Sequence, residues 1–204
     1  MNDIEIRLNF HRKELRQEHL QKNTLVIDEL GLNHGKCRAD IAVVNGHLIG
    51  YEIKSDQDSL QRLKEQIKSY NAIFDKVSVI VGNRHVNSIQ KYIPDWWGVI
   101  VSTKSSTEVV NFELIRKAKI NKDIDPISIA QLLWRNEAEE ILYREKIPSK
   151  ILRQTRDVLY EYLVEIFSIK QLQKIVRDYL KKRKNWRCPA SPSQCDDLSQ
   201  PVAM

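Results

Sequence analysis

Asp40, followed twelve residues later by Glu52-Ile53-Lys54, is the set of side chains in this 204-residue sequence best suited to chemistry. Two carboxylates can hold a divalent cation that polarises a phosphate and acidifies a bound water, and a neighbouring lysine can orient that water and offset charge on phosphorus. Together they are the minimal kit for metal-assisted phosphodiester hydrolysis. All the candidate ligands are hard oxygens, with the backbone carbonyl of Ile53 joining Asp40 and Glu52, so the metal expected is Mg²⁺ or Mn²⁺. Spacing alone is weak support: with 14 Glu and 19 Lys in the chain, about one Glu-x-Lys arises by chance. An arbitrary one is an ordinary surface ion pair, and the elements that carry these residues must supply the argument.

Val- and Ile-rich runs predict strands at Thr24 to Leu30, Cys37 to Val44, His47 to Ile53, Val77 to Val81 and Gly98 to Ser102. Helical spacing predicts amphipathic helices at Ile4 to Leu20 and Gln57 to Ala72 and a short one at His85 to Ile93. The order indicates a mixed α/β sheet that starts with an antiparallel hairpin. Asn45-Gly46 marks the hairpin turn. A two-residue loop would put Asp40 and Glu52 on opposite faces. A three-residue loop, Asn45-Gly46-His47, pairs 40 with 52, 42 with 50 and 44 with 48 instead. It sorts Ile41, Val43, Ile49, Tyr51 and Ile53 to one face and Asp40, Ala42, Gly50, Glu52 and Lys54 to the other, so it is the register expected. Opposed β-carbons sit about 5 Å apart, so both carboxylates can reach one cation, with space left beside small Ala42 and Gly50.

Three segments then stand out: Gly35-Lys36-Cys37-Arg38-Ala39-Asp40-Ile41-Ala42-Val43, Gly50-Tyr51-Glu52-Ile53-Lys54-Ser55 and Gln66-Ile67-Lys68-Ser69-Tyr70. Over about residues 24 to 103 the chain resembles the PD-(D/E)XK nuclease superfamily, with a C-terminal helical extension. The resemblance implies a restriction-endonuclease-like αβββαβ core and metal-dependent hydrolysis of DNA. It matches Asp40, Glu52 and Lys54 to the motif, with Ala39 where the name-giving proline would stand. Gln66 and Tyr70 match a glutamine and tyrosine carried by some exonuclease-like branches. Glu29 is a candidate for an additional upstream acid, in competition with Glu14 and Glu18.

From Asp125 onward the pattern is helical, with segments expected near Ile129 to Arg144, Lys150 to Phe167 and Ile169 to Lys184, and Ser-x-x-Gln capping boxes at Ser128 and Ser168. Residues 1–124 are read as the α/β core, 125–187 as a helical bundle that contacts DNA or a partner, and 188–204, rich in Pro, Ser and Gln, as a flexible tail. Lys170 to Arg187 holds eight basic residues against one acid, so Lys174, Arg177, Lys181, Lys182, Arg183 and Lys184 are candidate phosphate contacts. Positive charge on a solvated helix end is the plain alternative. Trp96-Trp97 offers either a base-stacking surface or core packing.

Composition limits the classes. No apolar run reaches the roughly 18 residues of a membrane span, and Met1 to Arg16 lacks the apolar stretch of a signal peptide, so no membrane partner and a cytoplasmic location are expected. The three cysteines, Cys37, Cys188 and Cys195, are scattered and read as reduced thiols. A net charge of +6 is compatible with a polyanionic partner. The sequence therefore predicts a metal-dependent deoxyribonuclease acting in repair, mobile-element biology or defence. A non-catalytic nucleic-acid-binding or assembly protein on the same fold is the alternative, and a homodimer or a protein partner is compatible with either.

Overall fold

Alternating apolar side chains build a six-stranded mixed sheet in the computed structural model, which describes residues 1–184 and 186. The strands are β1 (Leu25–Leu32), β2 (Cys37–Val44), β3 (Leu48–Lys54), β4 (Lys76–Gly82), β5 (Gly98–Lys104) and β6 (Val110–Arg116), adjacent in that order. Pairs β1–β2, β2–β3 and β5–β6 are antiparallel, whereas β3–β4 and β4–β5 are parallel. Among the described residues the helices are α1 (Asp3–Lys13), α2 (Arg16–Leu20), α3 (Leu63–Ile73), α4 (Val86–Ile89), α5 (Pro126–Ala130), α6 (Arg135–Arg144), α7 (Ser149–Leu152), α8 (Arg156–Ile166) and α9 (Ile169–Lys182). Parallel neighbours need a long connection; α3 lies in the one from β3 to β4, and α4 in the one from β4 to β5.

The hairpin takes the three-residue loop. Ile41 pairs with Tyr51, Ala42 with Gly50 and Val44 with Leu48, while Asn45 N–H donates to the His47 carbonyl and its side chain accepts from His47 N–H. Ile41, Val43 and Ile53 join Ile6 and Phe10 of α1 in one core cluster. The opposite face, which carries Asp40, Glu52 and Lys54, is covered as well. Ala42, Val44, Val77 and Val79 pack under Tyr70, Ile73 and Phe74 of the α3 region, and this larger cluster runs on into Ile129, Leu142, Leu159, Leu163, Val176 and Leu180 of the later helices. With both faces covered, the inner strands read as near-continuous apolar runs. The space anticipated beside Gly50 is filled: a β-carbon there would lie 2.8 Å from the Phe74 ring.

Several elements are shorter than their periodicity predicts, and local side-chain hydrogen bonds explain two of them. The expected start of α3 at Gln57 is a loop, because Asp58 Oδ2 accepts from both Ser55 N–H and Ser55 Oγ while Asp56 Oδ1 accepts from Arg84 N–H; such bonds compete with helix formation. The expected helix from Ile129 to Arg144 is two helices. Asp125, not Ser128, caps the first by accepting from Ser128 N–H, and Glu137 accepts from Trp134 N–H at the start of the second. The first helix divides into α1 and α2, and the Lys150 to Phe167 segment into α7 and α8. Ser168 forms the capping box with Gln171 as expected. Strand β6 escapes the pattern because it is an edge strand whose Leu114 and Ile115 are exposed. Trp97 is core and fully buried. The expected tail, 188–204, lies outside the described residues, as do Arg187, Cys188 and Cys195. No helix among the described residues is long and apolar enough to cross a membrane.

The close approach of Phe74 makes Gly50→Ala an overpacking substitution. It should lower stability by about 1–3 kcal/mol, read as a lower Tm in thermal denaturation; an unchanged Tm would show that the ring moves aside without penalty.

Candidate functional site

Residue 52 is the centre of the site because its carboxylate has no solvent exposure. A buried charge must be paired and hydrogen-bonded, and three donors converge on it. Lys54 Nζ, two residues along the same strand, donates to Oε1 at 2.6 Å; Gln66 Nε2 donates to the same oxygen at 2.5 Å; Tyr70 OH donates to Oε2 at 2.5 Å. Gln66 and Tyr70 stand one helical turn apart on α3 and so present to the same point. Tyr70 OH also accepts from Asp40 N–H at 3.2 Å.

Asp40 sits beside this group, at the step of the β1–β2 ladder between the Asp28–Ile41 and Leu30–Ala39 pairs. Ile53 N–H donates to its Oδ2 at 2.7 Å. What the structure assigns to Ile53 is thus an amide contact to Asp40. On the other side is a residue that sequence reasoning missed, Arg7 of α1. Its guanidinium donates to the Asp40 carbonyl at 2.7 Å and reaches Asp3, Glu29 and Asp40 carboxylate oxygens at 3.1, 3.3 and 3.5 Å. Nothing in the spacing of α1 singles out Arg7; only the packing of α1 on the hairpin brings it there. Glu29, with a left-handed φ of 59°, pairs with both Arg7 and Arg38.

Of these groups Glu29, Arg38, Asp40 and Gln66 border a cleft of about 540 Å³, whose lining also includes Lys36, Arg62 and Glu65. Its exposed rim carries Lys36, Arg38 and Arg62 with Glu65, and Glu29, Asp40 and Gln66 are half-buried in its lining. Gln66 Oε1 is buried there without a hydrogen-bond partner. Sequence reasoning assigned no role to Lys36, Arg38 or Arg62, although Lys36 just precedes the Asp40 strand and Arg38 lies two residues before Asp40 on it. Cys37 also borders the cleft, and burial pushes its thiol above the usual range. Among the described residues no group of three or more His, Cys, Asp or Glu is arranged to hold a metal ion.

Glu14 and Glu18 do not join the site. They lie toward Tyr51 on the other sheet face, where burial first, and then these two carboxylates, push the Tyr51 hydroxyl up to about 12. The basic candidates of α9 divide. Arg183 pairs with Glu137 at 2.5 Å and donates to the Leu132 carbonyl, Lys181 donates to the Asn45 carbonyl, and Arg177 lies 3.9 Å from Asp75. Lys174, Lys182 and Lys184 are exposed. Lys181 meets the hairpin at its loop, five residues along β2 from Asp40 or roughly 17 Å at strand rise, so α9 sits toward the far end of the hairpin from the acids.

The family model described as bacteriophage P4 protein cII matches residues 4–190, nearly the whole chain. The chain belongs to that family. Protein cII of Enterobacteria phage P4 is 27% identical over 171 residues, which cover 83% of this chain and 63% of that protein. The chain therefore spans less than two thirds of the length of this relative. No solved structure matches it. Membership of the P4 cII family overturns the assignment to the PD-(D/E)XK superfamily, and with it the expectation of a metal-dependent deoxyribonuclease and of hydrolase or endonuclease activity. The physical reason the motif misled is visible in the site: Glu52 and Lys54 satisfy each other inside a closed network, an arrangement that needs no reaction to account for it.

The acid pair carries a pH signature. Burial, then the nearby Glu52 charge, push Asp40 up to about 8, against the pull of the Ile53 amide and Arg7. Because this acid holds its proton more tightly when folded, its contribution to stability is full below about pH 4 and is lost as pH rises through about 8. Asp40→Asn should remove that loss, so the Tm difference between variant and wild type should shift in the variant's favour from pH 5 to pH 9 in chelator-containing buffer. A difference that is constant with pH would refute the assignment.

Proposed function

We propose that the cleft binds a divalent cation, Mg²⁺ or Mn²⁺, and through it and the rim cations the phosphates of DNA, giving a cation-dependent DNA-binding protein. The observation that carries this reading is one juxtaposition: Asp40 and the unpartnered Gln66 Oε1, backed by buried Glu52, beneath Lys36, Arg38 and Arg62. An orphaned buried oxygen beside a carboxylate suits a hard cation, and both donors are oxygens. Asp40 and Gln66 would hold it, with Glu52, whose oxygens already accept from Lys54, Gln66 and Tyr70, adding negative charge behind them; bound there, it would supply positive charge to an incoming phosphate. Lys54 keeps its place on Glu52, and the three rim cations neutralise phosphates directly. Exposed Lys174 and Lys182 on α9, with Lys184 just beyond it, would make a separate basic contact, since α9 meets the hairpin at its loop. As to the finer topology, the succession α1, β1–β2–β3, α3, β4 supports a restriction-endonuclease-like order, and a shared order of elements carries no activity with it.

Fluorescence anisotropy with a labelled duplex tests the reading. Wild type should bind more tightly in Mg²⁺ than in EDTA, and Asp40→Asn should lose that difference. Changing Lys36, Arg38 and Arg62 together to Ala should weaken binding in both conditions and flatten the dependence of log K on log[salt] by up to about 3, at roughly 0.9 per phosphate contact. Equal affinity in Mg²⁺ and EDTA for wild type would remove the cation from the proposal, and an unchanged salt slope in the triple variant would remove the rim.

A further inference from the structure

A second cavity, of about 360 Å³, lies on the other side of the turn at residues 33–35, between the end of β1 and the later helices. It is within the size range of small-molecule sites. Its lining combines aromatic faces with arginines: His34, Trp134, Tyr160 and Trp186 beside Arg156 and Arg183, with Arg135 at the margin.

Hydrogen bonds hold the edges of two of the aromatic walls in place, and Trp134 is largely exposed. Tyr160 OH donates to the Leu133 carbonyl at 2.9 Å, and Trp186 Nε1 donates to the Leu180 carbonyl at 2.9 Å. His34 stacks on Tyr160 at 5.7 Å between ring centroids with 22° between planes, placed there by left-handed backbone at Asn33 and His34, uncommon for residues other than glycine. Arg183 lies 4.3 Å from the Trp134 ring centroid and 5.5 Å from that of Trp186, its fork fixed by Glu137. Trp134 nonetheless remains 56% exposed, a large aromatic surface left at the wall of a cavity.

Charge supplies the second half of the argument. Glu137 balances Arg183, but Arg135 donates to the Gln154 and Leu152 carbonyls rather than to a carboxylate. Arg156 is exposed and lies 3.9 Å from Asp157, a long contact between two solvated side chains. The cavity thus offers stacking faces and excess positive charge within one small volume. A planar aromatic ring joined to an anion satisfies both, and neither an apolar side chain nor a bare phosphate does.

We infer that this cavity binds a nucleotide unit, its base against Trp134 and the neighbouring rings and its phosphate toward Arg156 and Arg135. The unit can be a free nucleotide or an unstacked base of a single strand, and the same chemistry serves both. The site is independent of the acid cleft.

Isothermal titration in EDTA, which excludes any contribution from a cation, decides the matter with three probes: deoxyadenosine monophosphate, deoxyribose 5-phosphate and a single-stranded 12-mer. The mononucleotide should bind saturably, with the baseless sugar phosphate about tenfold or more weaker, and Trp134→Ala and Arg156→Ala should each weaken it about tenfold, within the range measured for lost base stacking. Both positions are exposed, and circular dichroism verifies that the variants are folded. A 12-mer that binds more tightly than the mononucleotide and loses affinity in Trp134→Ala identifies a strand as the source; equal affinity identifies the free nucleotide. Absence of saturable binding of both by wild type overturns the proposal, as do folded variants that bind as wild type does.

Discussion

The carboxylate of Glu52, held without solvent in the middle of the sheet, is the constraint around which the rest of the structure is arranged. Stranding such a charge by removing a partner typically costs about 3–5 kcal/mol, so its three donors are as necessary to the fold as any apolar contact. Lys54 comes from the same strand, but Gln66 and Tyr70 come from α3, and the carboxylate therefore ties the crossover helix to the hairpin. Tyr70 extends the tie by accepting from Asp40 N–H. One polar point thus sets the position of α3 over β2 and β3, and Phe74 then closes down on Gly50.

Arg7 performs the corresponding task from the other side. Its guanidinium links α1 to Asp40 and Glu29, joining the helix under the sheet to the acids at its edge. The rim cations are consequently not a separate patch laid over the acids. Arg7 and Arg38 balance Glu29, while burial and Glu52 make Asp40 hold its proton more tightly than an ordinary carboxyl. The balance of charge in the cleft depends on which of these groups carries a proton, a cation or a phosphate.

Much of this was readable in the sequence. The hairpin register followed because turn chemistry and the sorting of apolar residues agreed, and a slip by one would have reversed both faces. Gln66 and Tyr70 were singled out by a resemblance, and their spacing of four on one helix put them on the same face. What escaped was whatever depends on contacts between distant segments: Arg7 on the acids, Phe74 over Gly50, and the meeting of Trp134 with Trp186. Helix breaks escaped where Asp and Ser side chains outcompeted the backbone, as at Ser55 to Asp58. Family membership escaped for another reason. Two acids and a lysine on adjacent strands have the same appearance whether they hold a reacting phosphate or simply satisfy one another.

Helix α9 closes the molecule at Asp75, a buried carboxylate that receives Leu48 N–H from the hairpin and the Gln173 amide from α9. Lys181 adds a bond to the Asn45 carbonyl. These contacts join parts of the chain about a hundred residues or more apart, and long-range closure of this kind slows folding. Asp75 itself belongs to neither partner, lying between α3 and β4, so the loop end of the hairpin and α9 are coupled through a single carboxylate. Loosening that one acid would release both at once.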